Sequence, residues 1–186
     1  MQRLNEQSNP QMNDQQRQIQ FDLFYAEHAT PGYRFALRLC GNHEDAEDIV
    51  ADALVKAFSR WSQYRGEADA RTWLFKIVLN EWRMRCRKRN VQVVRLESIE
   101  HMANTMDSKD FGLATAILSL SRVQREAFLL VKGEGLTHAE AAKVAGVPIG
   151  TMYFRVHSAV NALRRLLSET PMDPAGSGEV NFEAEM

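Results

Sequence analysis

A chain of 186 residues, 45% hydrophobic and 25% charged, has room for one ordinary domain or two small ones and the composition of a soluble globular protein. Its net charge of -1 excludes a uniformly basic or acidic binder, yet the mean conceals segregation: residues 71–90 hold seven cations against Glu81, and residues 169–186 hold five carboxylates and no cation. No apolar run approaches the roughly 18 residues that span a bilayer, no signal-peptide segment opens the chain, and Cys40 and Cys86 have no CxxC partner; a cytoplasmic protein with reduced thiols and no metal or other cofactor is expected.

Residues 1–18 are dominated by Gln and Asn, with too little apolar surface to offset the entropy of ordering them, and are expected to form a disordered arm. From Ile19 to Cys40, Phe21, Phe24, Tyr25, Phe35, Ala36 and Leu39 recur at helical spacing. Pro31-Gly32 interrupts them, so two helical pieces or one broken helix are predicted. Asn42 with Asp45 has the form of an N-cap pair, and Ala46, Ile49, Val50, Ala53, Leu54, Ala57 and Phe58 behind it predict a regular amphipathic helix. Its opposite face presents Asp45, Asp48 and Asp52. Carboxylates near a helix N-terminus suit the macrodipole, which accounts for Asp45 but not for Asp52; the stripe is either a solvated face or a docking surface for a basic protein.

After a turn at Tyr64-Arg65-Gly66, residues 71–90 read as one helix with two unlike faces. At about 100° per residue, Trp73, Leu74, Ile77, Val78 and Trp82 share a broad apolar side. Thr72, Lys76, Asn80, Arg83 and Arg87 line the other, with Arg85, Lys88 and Arg89 adding charge where the helix ends. A stripe of this kind suits a polyanion. Asn80 both donates and accepts, as a base edge demands, and Trp61, Tyr64, Trp73, Phe75 and Trp82 crowd the region with rings on which unpaired bases stack. The competing reading is a solvated basic face over an ordinary aromatic core.

Residues 91–109 lose periodicity and are expected to be a linker. A second helical unit begins around Phe111; Ser121 with Gln124 and Thr137 with Glu140 form capping boxes, and Gly133 and Gly135 close the first of the two helices. The spacing Ala142, Gly146, Met152 is that of a helix-turn-helix: a small residue where two helices touch, a glycine at the turn, an apolar plug from the second helix. Groove-facing candidates are Ile149, Gly150, Thr151, Tyr153, Phe154, Arg155, His157 and Ser158, with Arg164 and Arg165 better placed for phosphates. From Pro171 the chain is acidic and expected to be disordered.

Together these segments resemble a bacterial RNA polymerase sigma factor of the sigma-70 family, in its extracytoplasmic-function (ECF) group. The resemblance covers about residues 20–167 and is carried by Ala46-Glu-Asp-Ile-Val-Ala-Asp-Ala-Leu-Val-Lys-Ala-Phe58, by Tyr64-Arg-Gly66 with Arg71-Thr-Trp-Leu-Phe-Lys-Ile-Val-Leu-Asn80, and by Gly135-Leu-Thr-His-Ala-Glu-Ala-Ala142 with Val147-Pro-Ile-Gly-Thr151. It implies an all-α fold of two small helical domains joined by a flexible linker: a region 2 bundle at 19–90, a linker at 91–109, a region 4 helix-turn-helix at 110–168 and an acidic tail at 169–186. It further implies that Asp45, Asp48 and Asp52 dock onto the clamp helices of the largest subunit of core RNA polymerase. Tyr64, Arg71, Trp73, Lys76, Asn80, Arg83 and Arg87 would open and read the -10 promoter element, with a base flipped from the stack, and Thr151, Tyr153, Phe154, Arg155, His157 and Ser158 would read the -35 element as duplex. An anti-sigma factor partner, a monomeric free state and no catalysis are implied by analogy. The sequence departs from the family pattern at Ala51, where the docking motif usually has Gln, and at Tyr153 and Ser158, where the reading helix usually has cations. A stand-alone helix-turn-helix regulator is the alternative. An enzyme fits poorly, because the three aspartates share a helix with no further ligand at metal spacing.

Overall fold

In the computed structural model the described residues are 13–64, 66, 69–89 and 108–169. The first helix, α1, spans Asp14–Cys40, starting inside the stretch expected as a disordered arm. Asn13 caps it by accepting from the Gln16 N–H at 2.8 Å, and the Gln16 amide reaches back to the Asn13 N–H. Residues 1–12 lie outside the described part. The helix also runs straight through Pro31, where a break was expected. Proline removes one N–H from the ladder, but Phe24 and His28 before it and Phe35, Ala36 and Leu39 after it bury one continuous face. Gly32 serves close packing: a Cβ there would meet the Leu74 side chain at 3.1 Å. The helix ends on Gly41 at φ +82°, a left-handed cap whose N–H returns to the Leu37 carbonyl.

The second helix, α2, spans His43–Ser59 behind the Asn42 cap, as expected, and lays Ala46, Ile49, Ala53 and Ala57 against its neighbours. Residues 61–63 form a short 3-10 turn. The third, α3, spans Ala70–Arg89; Asp69 caps it, its Oδ1 accepting from the Arg71 and Thr72 N–H groups. These three helices form the first module.

The second module begins with α4 (Ser108–Ser119) and α5 (Arg122–Phe128). Of the linker expected at 91–109, residues 91–107 lie outside the described part and the last two open α4. A π-turn at 129–133 extends α5, with the Glu134 N–H bonded to the Leu129 carbonyl five residues back, and this wide turn carries Glu134 into the interior. Then come α6 (His138–Ala145), opened by the Thr137–Glu140 capping box, and α7 (Ile149–Glu169). Gly146 turns between them at φ +70°, Ala142 is buried at the crossing and Met152 is the fully buried plug, so the expected helix-turn-helix is present. Among the described residues no helix is long and apolar enough to cross a membrane.

The main core does not stop at the module boundary. Phe35, Leu39, Phe75, Val78, Leu79 and Trp82 belong to the same buried cluster as Ala127, Leu129, Leu130, Ala141, Val144 and Met152. A smaller cluster of Ala116, Leu120, Ala159 and Leu163 joins α4 to α7.

Candidate nucleic-acid interface

Helix α3 is buried on two sides. Leu74 packs by Gly32 of α1, Glu81 pairs with Lys56 of α2 and the Phe75 ring lies 4.8 Å from Phe35 of α1, while Arg71 and Arg83 reach Glu134 and Glu126 of the second module, against which α3 also rests. Met84 and Lys88 are exposed towards the C-terminal end of α3, and one row stays open along its length. Lys76, Asn80 and Arg87 are exposed, and Trp73 is half-buried at the same angular position, within about 60° of one another on the helix. At its N-terminal end the row meets an aromatic cluster: Tyr64 stacks on Trp61 at 5.5 Å and lies 5.0 Å from Trp73, and Phe24 packs beneath both indoles at 4.8 and 5.9 Å. Burial, and then the charge of Asp69, push the Tyr64 phenol up, so it is neutral and able to donate. Cations, an amide and stacked rings in one strip can follow a strand's backbone while offering a base both a π-face and a hydrogen-bonding edge.

Other residues of the expected set are placed elsewhere. Thr72 is buried, and Trp82 is a core residue. Arg71, nine residues before Asn80, projects about 180° away from it. Its guanidinium lies 5.1 Å over the Phe75 ring and donates to the Glu134 carboxylate at 2.9 Å. Arg83 borders the row but is turned into the seam, donating from Nε to Glu126 Oε1 at 3.0 Å and from Nη1 to the Ala145 carbonyl at 3.1 Å. Arg38 of α1 completes the cluster by pairing with Glu134. Arg125 crosses the same seam to the Leu39 carbonyl at 2.7 Å, and burial lowers its pKa. Sequence reasoning did not single out Glu126, Glu134 or Arg125 as functional. The available signal was a charge set against an apolar run, Ala127-Phe-Leu-Leu-Val131.

On α2, the three aspartates separate into two roles. Asp45 turns back to its cap, its Oδ2 accepting from Asn42 Nδ2 at 2.7 Å. Asp48 and Asp52 point outward, and both accept from Arg85 of α3, at 3.1 and 2.9 Å.

The outer face of α7 is aromatic. Phe154 is 72% exposed and Tyr153 55%, the latter stacked on His138 at 4.0 Å with ring planes 11° apart. His157 is exposed on the same face, and Thr151 and Arg155 are half-buried at its margins. Ser158 is turned inward and accepts from Gln124 Nε2 at 2.8 Å.

Two family patterns match the two modules separately: Sigma-70 region 2 over residues 24–91 and Sigma-70 region 4 over residues 111–163. The chain is 32% identical over 148 residues to the ECF RNA polymerase sigma factor EcfG of Rhodopseudomonas palustris, covering 75% of this chain and 81% of that one. It is 34% identical over 154 residues to the ECF RNA polymerase sigma factor SigL of Mycobacterium tuberculosis, covering 78% and 87%. Its fold superposes on the sigma factor RpoE of Bartonella quintana, solved in complex with the anti-sigma factor NepR, with a TM-score of 0.67, 27% identity, and coverage of 81% of this chain and 98% of that one. A region 2 module whose α3 carries the open strip, joined to a region 4 helix-turn-helix, places this chain among the ECF RNA polymerase sigma factors of the sigma-70 family.

Proposed function

We propose that the chain is a dissociable promoter-specificity subunit that binds core RNA polymerase, melts and reads the -10 element with its first module, and holds the -35 element with its second. The observation that carries this reading is the exposed row of Lys76, Asn80 and Arg87, with Trp73 half-buried in line with them, running from the Tyr64–Trp61 stack in a helix otherwise buried on two sides. In this reading Asn80 hydrogen-bonds an unstacked base of the non-template strand near Tyr64, and Lys76 and Arg87 follow the phosphates. Arg83, at the border of the row, joins them only when Glu126 lets go. Tyr153, Phe154 and His157 meet the major groove, the rings against thymine methyls or sugars, with Arg155 as the local cation. Asp48 and Asp52 meet a basic surface of the polymerase. Nothing in this scheme requires a catalytic group in the chain. The anti-sigma factor bound to the Bartonella quintana relative supports a comparable partner here.

Run-off transcription with purified core polymerase and promoter DNA tests the proposal. Initiation should appear on adding this chain and disappear with Asn80→Ala. Duplex binding without polymerase, and no initiation with it, would instead identify a stand-alone regulator.

A further inference from the structure

Arg85 has no role in the scheme above. It is a cation set against the face expected to attract a basic partner, where elementary electrostatics would call for none. Its placement explains why it is there. The Arg85 side chain is only 25% exposed and comes up from α3 beneath α2, whereas the Asp48 and Asp52 side chains above it are 60% and 56% exposed. Each of its two outer nitrogens takes one carboxylate, Nη1 to Asp48 Oδ2 and Nη2 to Asp52 Oδ2. Oδ1 of neither aspartate is used in this pairing. Asp48 and Asp52 stand four residues apart on one helix, an arrangement in which like charges repel and two free carboxylates diverge. A planar fork anchored in the groove between α2 and α3 holds them in register as a point charge would not. Burial opposes the charge on Arg85, yet the bonds to Asp52 and Asp48 outweigh it and push its pKa up, so the fork is cationic at any working pH. Lys56, one turn beyond Asp52, is itself engaged by Glu81, which leaves the outward pair with a net negative charge.

We propose that Arg85 is a positioning residue for polymerase docking: it clamps Asp48 and Asp52 from below and presents them together, as a two-pronged acidic site, to a cation of the core enzyme. The inference rests on the docking role proposed above for those two aspartates. It reverses the sign that simple charge counting gives, since removing a cation from an acidic face should tighten binding to a basic partner, whereas removing this clamp loosens it.

The full chain, labelled with a fluorophore, is titrated with purified core RNA polymerase at two salt concentrations. Arg85→Ala is expected to bind about fivefold or more weakly, and Arg85→Lys, which keeps the charge but loses the fork, to recover part of that loss. On the background of Asp48→Asn with Asp52→Asn, which itself binds weakly, Arg85→Ala should change nothing further; an effect arising only from a loosened fold would persist there. Equal or tighter binding by Arg85→Ala, with the double aspartate variant weak, overturns the clamp and leaves docking intact. Wild-type affinity in the double aspartate variant removes the docking site, and the clamp with it.

Discussion

Arg83 of α3 meets Glu126 of α5 with two nitrogens of its guanidinium, across 43 residues of chain and the boundary between the two modules. Glu126 is buried, and Arg122 approaches the same carboxylate at 3.9 Å from one turn earlier. A carboxylate taken out of water in this way is stabilised only while its partner stays. Glu126→Ala, which strands the Arg83 charge in the seam, should therefore cost about 3 kcal/mol, read as a drop in the midpoint of urea unfolding. Paired with Arg83→Met, the double variant should recover much of that loss.

The open row and the seam predict opposite behaviour for cations of one helix. Lys76→Ala and Arg87→Ala should each lower the salt dependence of single-strand binding by about one charge, with stability nearly unchanged. Arg71→Ala should do the reverse, destabilising the fold through Glu134 while leaving the salt slope of the closed protein alone. Titration of a fluorescent single-stranded oligonucleotide at several salt concentrations separates the two.

Much of this was legible in the sequence. The Asn42 cap and the run from Ala46 to Phe58 defined α2, and Ala142, Gly146 and Met152 defined the helix-turn-helix, because each signal is local. Helix α3 was half legible: Leu74, Ile77, Val78 and Trp82 are buried as expected, but Trp73 of the same apolar side is only half-buried, and Phe75 and Leu79, outside that side, are buried in a core that also takes in Ala141, Val144 and Met152, which no periodicity within one helix reports. For the same reason Arg71 and Arg83 looked like free cations. Pro31-Gly32 misled differently, since the signal that usually breaks a helix here marks a close approach to Leu74.

On α7, Phe154→Ala should weaken binding to promoter duplex by roughly 1 kcal/mol or more if the ring meets a thymine methyl. Arg155→Ala should weaken it more than Arg165→Ala does. Ser158→Ala should leave DNA binding unchanged and cost about 1 kcal/mol of stability, because its hydroxyl serves Gln124. Gel-shift titrations at fixed salt, with melting curves on the same samples, check all of these.

The capping box that opens α6 gives stability a pH signature. Two hydrogen bonds from Thr137, hydroxyl first and backbone N–H second, hold the Glu140 carboxyl below its ordinary value of 4.5. A depressed carboxylate contributes stability that is fully present above the ordinary value and is lost as pH falls through the lowered one. Thr137→Ala should cost about 1 kcal/mol at neutral pH, and the gap from wild type should narrow in melts taken below about pH 4.

Cys40 should be a sluggish nucleophile. Burial pushes its thiol up to about 11, so its thiolate at neutral pH is roughly a hundredfold scarcer than that of a thiol titrating near 9. Alkylation of the native chain with iodoacetamide, followed by peptide mass spectrometry, should label Cys40 only slowly until denaturant is added.

The continuous core has a metric implication. In the reading proposed here, the two DNA targets are named for positions about 25 base pairs apart, a span of about 85 Å along B-form DNA. Helix α3 rests on α6, and α6 on α7, so at 8–10 Å per contact the two reading helices lie only about 20 Å apart. No tilt of the closed molecule makes up that difference. The 18 residues from 90 to 107 can stretch to about 60 Å, enough with the width of the modules themselves to cover the gap. A chain that holds both targets at once has therefore parted α3 from α6, and whatever spreads it on the promoter supplies the work of exposing that grease.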